Sequence, residues 1–159
     1  MSAFEARDIV EFAIRIEENG EAFYRWAAGI AKEAETVALF NRLAQEETQH
    51  RDIFARLLKE VGSNPPHESY EGEYGAYLRD YVDNNIVFTK ETMAAELAKV
   101  KDTRGAVDFA IRRELDSILY YHEIRKFLSI SEYDQIEKII EEERRHFQKL
   151  SELKKFYAA

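Results

Sequence analysis

Four long segments of the chain carry apolar residues at helical spacing, and each has a carboxylate set into the middle of its apolar seam. From about Phe4 to Lys32, residues Ile9, Phe12, Ala13, Ile16, Phe23, Ala27 and Ile30 recur every three or four positions, the period of an amphipathic helix. Glu17, Gly20 and Tyr24 fall in that stripe, whereas Glu18 lies about 100° around it. A turn near Glu33 to Thr36, with Thr36 as the expected N-cap, leads to a second helix ending near Val61-Gly62. Its seam reads Phe40, Leu43, Glu47, His50, Phe54, Leu57, Val61. Asp102 is placed to cap a third helix running to about Ser129, with Val107, Ala110, Ile111, Ile118, Ile124 and Leu128 inward around Glu114 and Tyr121. Ser131, followed three residues later by Asp134, predicts the start of a fourth. Ile136, Ile140, Glu143, Phe147, Leu150 and Leu153 form its seam.

Between the second and third helices the pattern lapses. Gly62 to Gly75 holds both prolines and three of the six glycines, which predicts a loop. Ala76 to Asn84 and Thr89 to Val100 follow as two short helices, the second with Met93, Leu97 and Val100 on one side. A connection of this length carries the chain back along a bundle. The expected fold is therefore all-α: a four-helix bundle of two helical hairpins joined by a long crossover that contains short helices. At 159 residues a single domain spanning 1–159 is expected.

The polar residues inside the seams repeat. Glu47-Thr48-Gln49-His50 and Glu143-Arg144-Arg145-His146 each place a carboxylate and an imidazole three positions apart, on one helix face. Glu17 is followed by Gly20 and Tyr24, and Glu114 by Ser117 and Tyr121 at the same offsets. Glu17 precedes Glu47 by 30 positions and Glu114 precedes Glu143 by 29. The chain thus reads as two copies of Glu-x2-small-x3-Tyr followed by Glu-x2-His. In antiparallel hairpins these distances set each Glu opposite its partner near mid-helix. Four carboxylates and two imidazoles then converge, with Glu46 and Glu142 as rival inward groups that face analysis disfavours. His67 and His122 lack the paired Glu and are read as surface or structural residues.

Burying four facing carboxylates is prohibitive without cations. Two divalent ions balance their charge, and oxygen mixed with imidazole nitrogen suits iron or manganese, with zinc also acceptable. Composition narrows the remaining chemistry. The absence of cysteine excludes disulfides, thiolate zinc, cysteine-ligated clusters and thiol nucleophiles. A formal charge of −8 argues against nucleic-acid or anionic-membrane binding. No segment approaches a membrane-spanning apolar run and no signal peptide is evident at Met1 to Val10, so a cytoplasmic location is expected.

With its doubled Glu and Glu-x-x-His, the sequence resembles the ferritin-like di-iron carboxylate proteins, and within them the rubrerythrin-like branch. The resemblance implies that Glu17 and Glu114 are single-carboxylate ligands and that Glu47, His50, Glu143 and His146 come from the paired motifs. Tyr24 and Tyr121 would then hydrogen-bond and orient ligand carboxylates. It implies two iron ions and an oxidoreductase acting on hydrogen peroxide or dioxygen, with glutamates that shift between bridging and terminal modes and histidines that anchor each metal. Rubrerythrins typically carry a further glutamate three residues past the third-helix ligand, where this chain has Ser117. They often carry a cysteine-bearing rubredoxin domain too; without one, electrons come from a separate donor protein. Bacterioferritin shares the doubled pattern, but no fifth helix is expected after Tyr157 and no methionine near Glu47 could ligate haem. Two other readings stay open: a ferroxidase-like iron-handling protein, and a non-catalytic acidic bundle that binds a protein partner. A homodimer is also expected, since exposed faces of such bundles often pair.

Overall fold

A computed structural model describes residues 6–61, 73–81, 90–125, 128 and 130–158. Six helices follow in order: α1 (Ala6–Ile30), α2 (Ala34–Glu60), α3 (Glu73–Tyr81), α4 (Lys90–Leu97), α5 (Thr103–Ile124) and α6 (Ile130–Ala158). No strand occurs among the described residues. α1 packs on α2 and α5 on α6, and the two hairpins meet through α1 against α5 and α2 against α6. This is the four-helix bundle that the apolar seams predict.

Two apolar clusters fill the ends of the bundle. One joins Ile9 and Ala13 of α1, Phe54 and Leu57 of α2, Tyr120 and Ile124 of α5, and Ile136 and Ile140 of α6. The other joins Phe23 and Ala27, Phe40 and Leu43, Val107 and Ala110, and Leu150. The start of α1 thus lies with the ends of α2 and α5, which makes α5 antiparallel to α1 and parallel to α2. The short helices serve that topology: Leu78 of α3 belongs to the first cluster, while Met93 and Leu97 of α4 pack on the second. The connection runs the length of the bundle, as its length predicts. Each fully buried Phe or Leu contributes roughly 1.5–3 kcal/mol, so the two clusters hold the helices in register about the layer between them.

A local signal sets the start of α5. Asp102 caps α5: its backbone is extended and its Oδ1 accepts from Gly105 N at 2.7 Å. Thr36 is not the cap of α2. That role falls to Glu33, whose side chain makes no capping bond. Thr36 is buried a turn inside, 2.8 Å from the Tyr157 hydroxyl, which also donates to Glu33 at 2.5 Å. Its hydroxyl is committed to tying the end of α6 to the α1–α2 turn. Ser131 likewise lies inside α6, which begins at Ile130, a shift within the usual variation of helix ends. The loop predicted to reach Gly75 stops earlier, since α3 begins at Glu73; residues 62–72, including His67, lie outside the described residues.

Candidate metal centre

Between the apolar clusters lies a polar layer of six side chains: Glu17, Glu47, His50, Glu114, Glu143 and His146, every one at most 5% exposed. They reach the same level because each sits mid-helix, flanked along its own seam by residues of the two clusters. Their donor atoms form two groups. Glu17, Glu47, His50 and Glu143 offer one set, and Glu47, Glu114, Glu143 and His146 the other, with the atoms of each set within 4.8 Å of one another. Glu47 and Glu143 belong to both, so they occupy the shared positions, while Glu17 with His50 and Glu114 with His146 complete the two ends.

Glu143 illustrates the sharing. Its Oε1 lies 2.9 Å from His50 Nδ1 and its Oε2 lies 3.1 Å from His146 Nδ1. Glu17 Oε2 approaches His50 Nδ1 at 3.6 Å, and Glu114 Oε1 approaches His146 Nδ1 at 3.6 Å. The two imidazoles stack with ring centroids 5.7 Å apart, and both turn Nδ1 inward.

Four further groups hold this layer in place, each reaching across the bundle. Tyr24 of α1 donates to Glu114 Oε1 of α5, and Tyr121 of α5 donates to Glu17 Oε1 of α1. Glu142 Oε2 lies 2.7 Å from His50 Nε2, and Glu46 Oε2 lies 2.8 Å from His146 Nε2. Thus Glu46 and Glu142 are not the inward groups; each fixes the imidazole carried by the opposite hairpin, the arrangement that sets the tautomer of a ligating histidine. Sequence reading treats the two acids only as rivals of their neighbours. The signal for their role is the doubled Glu-Glu-x-x-His, in which the extra acid repeats as faithfully as the pair. His122 stands outside this layer, 3.4 Å from Arg125 and 3.3 Å from Arg144.

Gly20 is the close approach that its position in a helix interior predicts. A Cβ there would lie 2.5 Å from Glu47 Oε2 and 3.2 Å from its Cδ. Beside it, a cavity of about 30 Å³ reaches Glu47 and Glu114 and is lined by Gly20 of α1 and Ser117 of α5. The Ser117 hydroxyl donates to Arg113 O at 2.9 Å.

The electrostatics of the layer follow from burial and crowding. Burial pushes the Glu47 carboxyl well above its ordinary range, and the neighbouring Glu143 and Glu17 charges push it further. Burial, then Glu143, raises Glu114 to about 8. Burial also acts to raise Glu143, but hydrogen bonds from Glu114, His146 and His50 hold it well below the usual carboxylate range. Burial opposes a charged imidazole at His50, yet the Glu17 charge and the bonds to Glu143 and Glu17 raise it to about 12. His146 is raised still more strongly: burial again opposes, and its bonds to Glu114, Glu143 and Glu46 prevail. Burial and adjacent carboxylates keep Tyr24 and Tyr121 neutral far above the usual tyrosine range.

These residues fit a pair of divalent cations on three counts. Glu17 Oε2, Glu47 Oε1, Glu143 Oε1 and both inward Nδ1 atoms are buried without a hydrogen-bond partner of good geometry, whereas buried polar atoms are nearly always paired. The donor set mixes carboxylate oxygen with imidazole nitrogen in the proportion suited to iron or manganese. Gly20 leaves the space that a shared Glu47 needs. No helix among the described residues is long and apolar enough to cross a membrane.

Comparison with known proteins agrees with this geometry. No curated protein matches the chain. A crystal structure from Thermotoga maritima, described as that of a candidate ferritin-like diiron-carboxylate protein, is similar over 98% of this chain and 97% of its own, with 28% identity and a TM-score of 0.66. A family model described as Rubrerythrin matches residues 8–103, which include Glu17, Glu47 and His50. With that match over more than half of its length and a ferritin-like bundle around its carboxylate and histidine layer, the chain belongs to the rubrerythrin family.

Proposed function

We propose that the protein is a di-iron carboxylate oxidoreductase that reduces hydrogen peroxide or dioxygen, with electrons delivered by a separate donor protein. The observation that carries this reading is the pair of four-donor groups sharing Glu47 and Glu143. Glu17 and His50 would hold one ion, Glu114 and His146 the other, with Glu47 and Glu143 between them. Two ferrous ions held there would supply two electrons, which with two protons convert one hydrogen peroxide to two waters.

The protein's own groups position and neutralise. Glu142 and Glu46 keep Nε2 of His50 and His146 engaged, so each Nδ1 faces the centre with a fixed tautomer. Tyr24 and Tyr121, held neutral, keep a proton on their own oxygens and donate it in a hydrogen bond to Glu114 and Glu17. At Glu17 this leaves Oε2, the oxygen that faces His50 Nδ1, for a cation. The flexible glutamate stems would let the carboxylates adjust to the ions, with the histidines as the fixed ligands.

An anaerobic Fe(II) titration of metal-free protein tests the reading, followed by hydrogen peroxide added to one portion and air to another. Saturation near two irons per chain, oxo-bridged ferric absorption and repeated turnover with reductant are expected. Net ferric loading beyond two per chain would replace the reading with an iron-handling ferroxidase. Failure to take up iron, manganese or zinc would leave an acidic bundle whose role is to bind a protein partner.

A further inference from the structure

The α2/α6 side of the centre is closed by the stacked imidazoles of His50 and His146, whose outer nitrogens are taken by Glu142 and Glu46. The α1/α5 side is built differently. There, three residues past Glu17 and Glu114, the chain places its two smallest neighbours of the site, Gly20 and Ser117. The cavity between them touches both Glu47 and Glu114, the carboxylates that complete one four-donor group.

We propose that this cavity is the route by which oxidant reaches the centre, and that its size selects hydrogen peroxide over alkyl hydroperoxides. The inference rests on the di-iron reading above and adds the direction of approach and the limit on substrate size. A volume of about 30 Å³ has space for about two water-sized molecules, the bulk of one hydrogen peroxide. Phe23, Phe109 and Met93 give it largely apolar walls, which favour a neutral molecule over an anion. Ser117 adds little polarity, because its hydroxyl is turned back onto Arg113 O. Arg113 is engaged with Asp116 at the rim. Position 117 therefore decides whether the route is open: Ser117→Leu places two more heavy atoms at the cavity, enough to fill the space that a hydrogen peroxide would take.

Two measurements test this. The first needs no metal: crystals under xenon pressure are expected to show xenon between Gly20 and Ser117 in the wild type and none in Ser117→Leu. The second uses protein loaded with two ferrous ions. Wild type is expected to oxidise at least 100-fold faster with hydrogen peroxide than with tert-butyl hydroperoxide. Ser117→Leu, at unchanged iron content, should slow the peroxide reaction at least 10-fold. Met93→Ala, which widens the cavity, should speed the tert-butyl reaction at least 10-fold; it serves as the second variant should Ser117→Leu fold poorly. Equal rates with the two oxidants, or wild-type peroxide oxidation in a Ser117→Leu protein that excludes xenon, would overturn the route while leaving the di-iron reading in place. Failure of loaded wild type to react with any oxidant would overturn the di-iron reading and the oxidant route with it, even if xenon had occupied the cavity.

Discussion

Gly20→Ala should leave the metal-free protein about as stable as wild type and destabilise the metal-loaded one. In the metal-free protein the change removes a glycine from the interior of α1, which favours the helix by about 1 kcal/mol. Against this stands the contact of the new methyl with Glu47 Oε2 at 2.5 Å. An ordinary contact needs about 3.4 Å, so the carboxylate must retreat by about 0.9 Å. The far end of a glutamate can do so by rotating its terminal bonds, at roughly 0.5–1.5 kcal/mol for a side chain driven off its preferred rotamer. The two terms nearly cancel, and the melting temperature of metal-free Gly20→Ala should stay within about 4 °C of wild type.

Metal binding cannot absorb the same shift. Ligand distances tolerate about 0.2 Å, and Glu47 belongs to both four-donor groups, so one displacement weakens both positions. A 100-fold loss of affinity at one site removes about 2.7 kcal/mol of ligand-linked stability, or roughly 5–10 °C in a chain of this size. Thermal melts with and without metal, combined with competition against a chelator, separate the two effects. Wild-type affinity for two ions in Gly20→Ala would refute a role for the glycine in seating Glu47. Unfolding of the metal-free variant far below wild type would mean that the space at Gly20 serves packing and not Glu47.

Other perturbations test the crossed supports. Tyr24→Phe and Tyr121→Phe each leave a buried carboxylate without its donor, which costs about 1–3 kcal/mol; denaturant melts of metal-free protein should read that loss while both ions still bind. Glu142→Gln should weaken binding 10- to 100-fold at the position of His50, on the opposite hairpin, and Glu46→Gln at that of His146; stepwise metal affinities distinguish this from an effect on the nearer residues Glu143 and Glu47. Metal uptake at pH 7 should release protons, because metal-free His50 stays protonated up to about 12 and Glu114 up to about 8, and both must give up the proton to ligate. Affinity therefore rises with pH, measurable by calorimetry in buffers of differing ionisation heat. Asp102→Ala removes the α5 cap for about 1 kcal/mol and should lower the melting temperature by roughly 2–4 °C without changing metal content.

How far the site can be read without a structure depends on whether a relation lies within one helix or between helices. Glu47 with His50, and Glu143 with His146, share a face by helical geometry, and their duplication places the two hairpins at matching levels; that much is legible in the sequence. The pairing of Tyr24 with Glu114 and of Tyr121 with Glu17 is not, because each tyrosine sits on the same helix as the other's partner. Only the antiparallel packing of α1 on α5 turns two equal offsets into a crossed pair. Glu46 and Glu142 were ambiguous for the same reason: one residue from the seam, each looks like a misplaced ligand until α2 and α6 are laid side by side. Thr36 misleads in the opposite sense, since a hydroxyl near a helix start suggests a cap, and its true partner, Tyr157, lies 121 positions away.

The same crowding that suits the layer to cations also shifts the proton affinities of its groups. Four buried carboxyls facing one another would drive the helices apart if all were charged. In the metal-free chain, burial raises Glu47 and Glu114 so that they retain protons, while His50 and His146 remain imidazolium and hold Glu143 ionised between them. Protons on these groups offset the crowded negative charge that two divalent cations would otherwise balance. The supports that take no part in this exchange, Tyr24, Tyr121, Glu46 and Glu142, approach from outside the layer and from the opposite hairpin in every case. The two apolar clusters that flank the layer bring its six side chains to one level, and the four supports fix their orientation there.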